Sequence, residues 1–162
     1  MMIGEKLNQS MNQQIANEFG ASLQYVAIAA YFESHYLKLM AKLFFEQAEE
    51  EREHAMKFVH YILETGGKLQ IPAVAAPKSD FASAEEAVQA ALNWEVEVTG
   101  QINALMDIAV EAKDYLGQSF LRWFVDEQLE EVAKMEQLLG VVRSAGDKNL
   151  FMMEAYLAHL EA

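Results

Sequence analysis

Apolar residues recur at alternating steps of three and four along four separate stretches of the chain. This spacing is typical of one face of an α-helix, so each stretch predicts a helix with a buried stripe, here called its seam. β-Branched residues are sparse, whereas Ala, Leu, Glu, Gln, Met and Lys abound, which also favours helix. With 162 residues, the chain is long enough for a sizeable core. We therefore expect an all-α protein whose four seams face one another.

Capping residues and chain breakers place the ends of these helices. Four long helices are expected at about 5–36, 38–65, 83–112 and 115–144, followed by a short helix at about 148–160. Gly66-Gly67 ends the second helix, Ser83-x-x-Glu86 forms a capping box for the third, and Asp114 can cap the fourth. The pattern predicts a single domain over residues 1–162.

The lengths of the connections predict how the helices are arranged. The first two long helices and the last two are joined by short turns, so each pair is expected to be an antiparallel hairpin. The middle link has about 15 residues, and a chain of that length reaches ~50 Å when extended. A helix of about 28 residues spans ~42 Å. The link can therefore cross the whole bundle, which predicts a four-helix bundle with one long crossover.

Each seam is interrupted near its middle by acidic, imidazole or amide side chains. These residues are Glu18 in the first helix, Glu51 and His54 in the second, Glu95 in the third, and Gln128 and Glu131 in the fourth. An unpaired carboxylate in a dry core costs several kcal/mol or takes up a proton. Because no lysine or arginine lies on these seams, bound cations are the expected counter-charge.

The spacing of the interrupting residues repeats between the two hairpins. Glu51 lies 33 residues after Glu18, and Gln128 lies 33 residues after Glu95. In each hairpin one acid therefore faces a pair of residues at i and i+3, which share a helix face. The two hairpins are expected to meet as related halves around one site.

Carboxylates with one imidazole suit iron, manganese or zinc. Two metal ions ~3.5–4 Å apart need a bridging acid, and Glu51 is the natural candidate. The expected ligands are Glu18, Glu51 and His54 at a first position, and Glu51, Glu95 and Glu131 at a second.

Over nearly its whole length the chain resembles the ferritins, in particular the non-haem ferritins of bacteria and archaea. The resemblance lies in the segments EFGASLQY, EQAEEEREHAMKF, NWEVEVTGQI and FVDEQLEEVAKM. It implies a ferritin-like fold, oxidation of Fe(II) by O2 or H2O2 at a di-iron centre, and storage of ferric mineral in a homo-oligomeric cage of 24 subunits. The implied iron ligands are Glu18, Glu51, His54, Glu95 and Glu131, with Gln128 nearby.

The resemblance also implies roles for four further residues. Tyr25 matches a tyrosine near the di-iron centre of family members. An electron-donor role for Tyr25 and a core tyrosine with a satisfied hydroxyl are both open. Glu50, Glu127 and Glu130 match an additional iron position of bacterial members, and the alternative for them is a solvated acidic face.

Two positions depart from the pattern of bacterioferritins. Gln128-x-x-Glu131 stands where bacterioferritins have Glu-x-x-His, and a neutral amide with one imidazole fewer should weaken the second position. A weaker position suits iron that is passed onward. Arg52 stands where bacterioferritins carry the methionine that binds haem, so we expect no haem.

Charge and hydropathy limit the partners of the chain. The formal net charge of −13 argues against binding to nucleic acid and is compatible with attracting cations. No apolar run approaches membrane-spanning length, and the N-terminal segment lacks a basic stretch followed by an apolar one. We therefore expect a cytoplasmic protein with no membrane partner.

Three alternatives to an iron-storing oxidase are open. A di-iron carboxylate peroxidase or oxidase would keep a fixed di-metal cofactor and store no mineral; the rubrerythrin kind normally needs paired cysteines, and the sequence has none. A DNA-protecting mini-ferritin would place its ligands across a subunit interface, whereas here the set lies within one chain. A non-catalytic scaffold would lack ligands on its seams.

Overall fold

A computed structural model describes residues 2–161 as a bundle of helices. The helices are α1 (Glu5–Ser34), α2 (Lys38–Glu64), α3 (Ala84–Glu111), α4 (Tyr115–Ala145) and α5 (Leu150–Glu161), and a 3-10 turn over Asp147–Asn149 precedes α5. In the bundle, α1 packs along α2, α3 packs along α4, and α1 also packs against α3. The short α5 lies against α2 and α4. The expected all-α four-helix bundle with a short fifth helix is confirmed.

The observed helix ends differ from the predicted ones by up to two residues. α1 stops at Ser34 rather than near residue 36, because Tyr36 has a φ of 63°, which is left-handed and ends the helix. Lys113 takes the same conformation, with a φ of 53°, in the turn between α3 and α4. α5 begins at Leu150 rather than at about 148, since the 3-10 turn comes first. The remaining ends agree within one residue.

Side chains cap α3 and α4 at the predicted positions. The backbone N–H of Glu86 donates to Ser83 Oγ at 3.1 Å, and that of Gly117 donates to Asp114 Oδ1 at 2.8 Å. The Glu86 carboxylate in turn accepts from the N–H of Ala82 at 2.5 Å, one residue before the usual partner in a capping box.

The N-terminus of α2 is capped by α5. Leu37, at the N-cap position of α2, offers no side-chain hydrogen bond. Instead, the backbone N–H groups of Leu39 and Met40 donate to the two carboxylate oxygens of Glu154, at 2.8 and 3.0 Å. One carboxylate thereby satisfies two of the free N–H groups at the start of α2 and complements the helix dipole.

The crossover between α2 and α3 runs along α1, where side-chain amides hold its backbone. Asn12 donates to the carbonyl of Lys68 at 2.8 Å and accepts from the N–H of Gln70 at 2.6 Å. Further along α1, Gln24 pairs in the same way with the backbone of Lys78, at 2.8 and 2.9 Å. The crossover thus returns the chain toward the other end of the bundle, so α3 runs in the same direction as α2.

The apolar core consists of two clusters. One contains Phe32 and Phe44, and the other contains Ile15, Phe58 and Phe124. The polar seam residues lie between these clusters, at mid-height in the bundle. Within the described part of the chain, no helix is long and apolar enough to span a membrane.

Candidate metal centre

Six polar side chains form a layer across the middle of the bundle. They are Glu18, Glu51, His54, Glu95, Gln128 and Glu131, none of them more than 4% exposed. Each comes from the point at which its seam is interrupted, and apolar clusters close the layer at both ends. The acids are therefore held out of water by the packing of all four long helices.

Two sets of three side chains in this layer offer ligand atoms within 4.8 Å of one another. The first set is Glu18, Glu51 and His54, and the second is Glu51, Glu95 and Glu131. Glu51 belongs to both sets, as a bridging acid must. The structure thus brings the five predicted ligands together in the predicted grouping, and their binding of metal stays a prediction.

Two atoms of the first set are buried without a hydrogen-bond partner. These are Glu18 Oε2 and His54 Nδ1. His54 Nδ1 lies 3.3 Å from Glu51 Oε2, but outside hydrogen-bonding geometry. Because buried polar atoms are normally paired, each unpaired atom needs an explanation. A metal ion between the carboxylate and the imidazole satisfies both, and this donor set fits iron.

Glutamine side chains orient the acids at two corners of the layer. Gln14 Nε2 donates to Glu18 Oε1 at 2.8 Å. Gln128 Nε2 lies 3.1 Å from Glu95 Oε2 and 3.2 Å from Thr99 Oγ1. Gln128 therefore lies beside the predicted ligands, and its amide nitrogen holds the carboxylate of Glu95 in place.

A third glutamine, Gln47, connects the layer to a surface cation. Its Nε2 donates to Glu131 Oε2 at 2.6 Å and to Glu51 Oε1 at 3.1 Å. Its Oε1 accepts from Lys134 Nζ at 2.6 Å, and Lys134 also lies 4.0 Å from Glu50. The seam pattern gave no role to either Gln47 or Lys134, so both are found only in the structure.

Burial raises the pKa values of the acids in the layer. Desolvation, and then the charge of Glu51, raise the pKa of Glu18 well above its ordinary value. The same two causes raise the pKa of Glu95 to about 8. Burial raises the pKa of Glu131 to about 7, against the opposing charge of Lys134. Near neutral pH, Glu95 and Glu131 are therefore at least partly protonated, and a bound cation would displace their protons.

His54 lies between the acids and an aromatic wall. Burial lowers its pKa, but the neighbouring acids, Glu51 foremost, outweigh burial, so the pKa lies above the ordinary value. The imidazole packs edge-on against Trp123 and Phe124, with ring centroids 5.3 and 5.9 Å away. These contacts hold the ring plane in the layer.

Tyr25 is fully buried, and its hydroxyl donates to the carboxylate of Glu95. Burial, and then the charge of Glu95, raise the pKa of Tyr25 well above its ordinary value, so the phenol keeps its proton. The contact satisfies the hydroxyl, as a core tyrosine requires. It also joins the phenol directly to a predicted metal ligand.

The three acids predicted to form an additional iron position are not gathered into a cluster. Glu50 is half-buried beside Lys134, and Glu130 is exposed. Glu127 is half-buried and close enough to His54 to raise the pKa of the imidazole. Among residues 2–161, none of the three belongs to a group of three or more candidate ligands. An iron position at these acids remains a prediction.

The ferritin-like domain family matches residues 8–145 of the chain. The chain belongs to the ferritin family. This ferritin is 44% identical over 153 residues to ferritin BfrB of Mycobacterium tuberculosis, covering 94% of this chain and 84% of that protein. It is 38% identical over 158 residues to a bacterial non-heme ferritin of Staphylococcus aureus, covering 96% of this chain and 95% of that protein.

The fold of this ferritin is that of solved ferritin structures. An open-pore ferritin from the hyperthermophilic archaeon Archaeoglobus fulgidus superposes with a TM-score of 0.92, at 33% identity and over 96% of each chain. The family resemblance seen in the sequence is therefore confirmed. Membership of the family supports a role for this ferritin in iron storage.

Proposed function

We propose that this ferritin is a ferroxidase, which oxidises Fe(II) in the buried carboxylate layer and passes ferric iron to a stored mineral. The observation that carries the proposal is the pair of ligand sets that share Glu51. The unpaired atoms of Glu18 and His54 support it, because a metal ion explains both. Iron is here the substrate, and the protein supplies the ligands.

In the proposed reaction, each of two Fe(II) ions loses one electron. O2 takes up both electrons with two protons to give H2O2, or H2O2 takes them up with two protons to give two water molecules. Glu18 and His54 would hold the first ion, Glu95 and Glu131 the second, and Glu51 both. Binding would displace the protons that Glu95 and Glu131 keep near neutral pH.

Removing a ligand from the first position tests this proposal. Glu18→Ala and His54→Ala should each lower the initial rate of Fe(II) oxidation at least tenfold. Each variant loses a side chain that would bind Fe(II) at the place where the oxidant reacts. Two Fe(II) per subunit are added without oxygen, oxygen is admitted, and Fe(III) absorbance is followed. Glu53→Ala, which removes an exposed acid of α2, is the control and should behave like the wild type. Wild-type rates in the Glu18 and His54 variants would exclude the layer as the site of oxidation.

Tyr25 is proposed as an electron donor at this centre, since its hydroxyl contacts Glu95. The oxidant, O2 or H2O2, would take up one electron from the phenol, and the phenolic proton would pass to that carboxylate. Freeze-quenched samples with one Fe(II) per subunit should then show a tyrosyl radical by electron paramagnetic resonance, absent from Tyr25→Phe. A spectrum without this radical in the wild type would leave Tyr25 with the structural role alone.

Assembly into a homo-oligomeric cage of 24 subunits is also proposed. Apolar side chains are exposed on the crossover and on α5: Leu69, Ile71, Val74, Phe151 and Leu160. Exposed apolar surface commonly marks contacts between proteins. These side chains support assembly without fixing the number of subunits.

Three narrower expectations stand with the proposal. An additional, transient iron-binding site between the layer and the mineral is proposed at Glu50, Glu127 and Glu130. No haem is expected, and Arg52 is exposed, with its Nε 3.5 Å from the carboxylate of Glu49. A cytoplasmic location, with O2 or H2O2 as oxidant and no nucleic acid or membrane partner, completes the proposed role.

A further inference from the structure

Lys134 places a positive charge at the rim of the carboxylate layer. It lies three residues after Glu131 on α4, so the two side chains share a helix face. Its ammonium group donates to Gln47 Oε1 at 2.6 Å and lies 4.0 Å from Glu50. The side chain is 40% exposed. It therefore stands between the second ligand set and solvent.

Gln47 ties this ammonium group to the layer. A lysine has only donors, so the acceptor oxygen of the Gln47 amide must face Lys134. The amide nitrogen then faces inward, where it donates to Glu131 at 2.6 Å and to Glu51 at 3.1 Å. Gln47 is fully buried, so its amide is held by these partners on both sides. An unbroken chain of hydrogen bonds thus leads from the cation to the second ligand set.

We infer that Lys134, held in place by Gln47, weakens metal binding at the second position and so keeps the iron there exchangeable. The inference rests on the proposed function. Its physical basis is repulsion between the partly exposed ammonium group and a metal ion on buried Glu131, with only the buried amide of Gln47 between them. The charge of Lys134 already acts on Glu131, since it lowers the pKa of that acid against burial.

The repulsion is stronger for Fe(III), the product of oxidation, than for Fe(II). Coulomb energy scales with the product of the charges, so Lys134 repels Fe(III) half as strongly again as Fe(II). At the first position, Glu18 is held instead by the neutral amide of Gln14, whose Nε2 donates to Glu18 Oε1 at 2.8 Å. Lys134 thus distinguishes the two positions and favours release from the second.

Cobalt titration of the metal-free protein tests the inference without oxidation. Co(II) binding is followed by calorimetry and by visible absorption in the wild type, Lys134→Met, Lys134→Arg and Lys6→Met. Lys134→Met keeps the apolar stem and removes the charge, so the second dissociation constant should fall about tenfold, equal to about 1.4 kcal/mol. The first should change less than twofold. Lys134→Arg keeps the charge and should match the wild type.

Lys6→Met is the matched control for overall charge. Lys6 lies at the far end of α1, paired with exposed Glu111 at 3.1 Å, and its loss should leave both constants unchanged. Wild-type constants in Lys134→Met would overturn the inference, as would equal shifts at both positions or in Lys6→Met. If the wild type itself fails to bind two Co(II) per subunit, the proposed function fails, and the inference falls with it.

A double-mutant cycle tests the part of Gln47. Gln47→Leu frees the ammonium group to move into solvent, so Lys134→Met should have a much smaller effect on the second constant in that background. A full tenfold effect in the Gln47→Leu background would show that Gln47 does not hold the charge in place. Thermal midpoints of all variants, measured without metal, separate these changes from loss of folding.

Discussion

The acids of the candidate centre are buried in an apolar environment, which disfavours their charged form. Glu18 and Glu95 are almost wholly buried, and their pKa values are raised chiefly by desolvation. A carboxyl group whose pKa is higher in the folded than in the unfolded chain binds more protons when folded. Without metal, the folded state therefore loses stability as these groups are forced to ionise. The residues best suited to bind iron therefore lower the free energy of unfolding of the metal-free protein.

Glu95→Gln should stabilise the metal-free protein at alkaline pH. In the wild type, the unfolded chain ionises near 4.5 and folded Glu95 near 8, so stability falls as pH rises between these values. A neutral amide removes this contribution, on the order of a few kcal/mol. The Tyr25 hydroxyl can accept from the new amide as well as donate. Thermal midpoints from pH 5 to 8.5, measured with a chelator, should fall less steeply in the variant.

The control for this prediction is Glu97→Gln, since Glu97 is an exposed acid on the same helix. It should show the wild-type dependence on pH. Equal slopes for the wild type and Glu95→Gln would mean that Glu95 ionises in the folded protein as it does in water. With excess Zn(II), the wild type should have the higher thermal midpoint, because its Glu95 carboxylate can bind the metal ion and the Glu95→Gln amide binds it less well.

The candidate ligands could be predicted from the sequence because each interrupts an apolar seam, a signal that is local and periodic. It gave no role to Gln14 or Gln47, although each lies one helical turn before a buried acid. That spacing places an amide beside a carboxylate on one helix face and could have found them. The same spacing places Lys134 beside Glu131, but its contact with Gln47 could not be found this way, since the two residues lie 87 positions apart in sequence.

At the scale of elements, α5 is bound to the bundle through a helix end. Glu154 takes the place of the missing local cap of α2. Since the first turn of α2 needs acceptors for its free N–H groups, the same contact fixes α5 and stabilises α2. The sequence predicted α5, but Glu154 and Leu39 are 115 positions apart, so this contact needed the structure.

Glu154→Ala should destabilise both the N-terminus of α2 and the packing of α5 against the bundle. Loss of a capping acceptor costs about 1 kcal/mol, and here it also releases the polar hold on α5. Hydrogen exchange should accelerate at the N–H groups of Leu39 and Met40 and along α5, with little change in α3. The exposed acid Glu136 on α4 provides the control as Glu136→Ala. Protection of α5 equal to the wild type would mean that apolar packing alone holds it.

The crossover shows a further limit of sequence reasoning. Its direction was predicted by comparing the length of the link with that of a helix, and the structure agrees, although the link, residues 65–83, is longer than the predicted one of about 15 residues. Its path along α1 depends on Asn12 and Gln24, whose amides hold backbone groups of the crossover. From the sequence, these are ordinary polar residues of a helix. The left-handed turn at Tyr36 is equally hidden, because the glycine that usually marks such a turn is absent there.

Across the whole molecule, the two hairpins contribute unequal sets of candidate ligands to the centre. The first supplies Glu18, Glu51 and His54, and the second supplies Glu95 and Glu131. The second hairpin adds a neutral amide at Gln128 and carries the cation of Lys134. A centre with one stronger and one weaker position suits iron that passes through, whereas a permanent cofactor needs two strong positions.

This asymmetry predicts what the whole protein does when iron is plentiful. After aerobic loading with excess Fe(II), size-exclusion chromatography with light scattering should show a large closed assembly, and iron analysis should find many more than two irons per subunit. His54→Ala, loaded at the same concentrations, should acquire iron more slowly at unchanged assembly mass, because oxidation rather than assembly is impaired. A small oligomer that retains only two irons per subunit would contradict storage. It would indicate instead an oxidase or peroxidase with a fixed di-metal cofactor, in which iron stays on Glu51 and its partners.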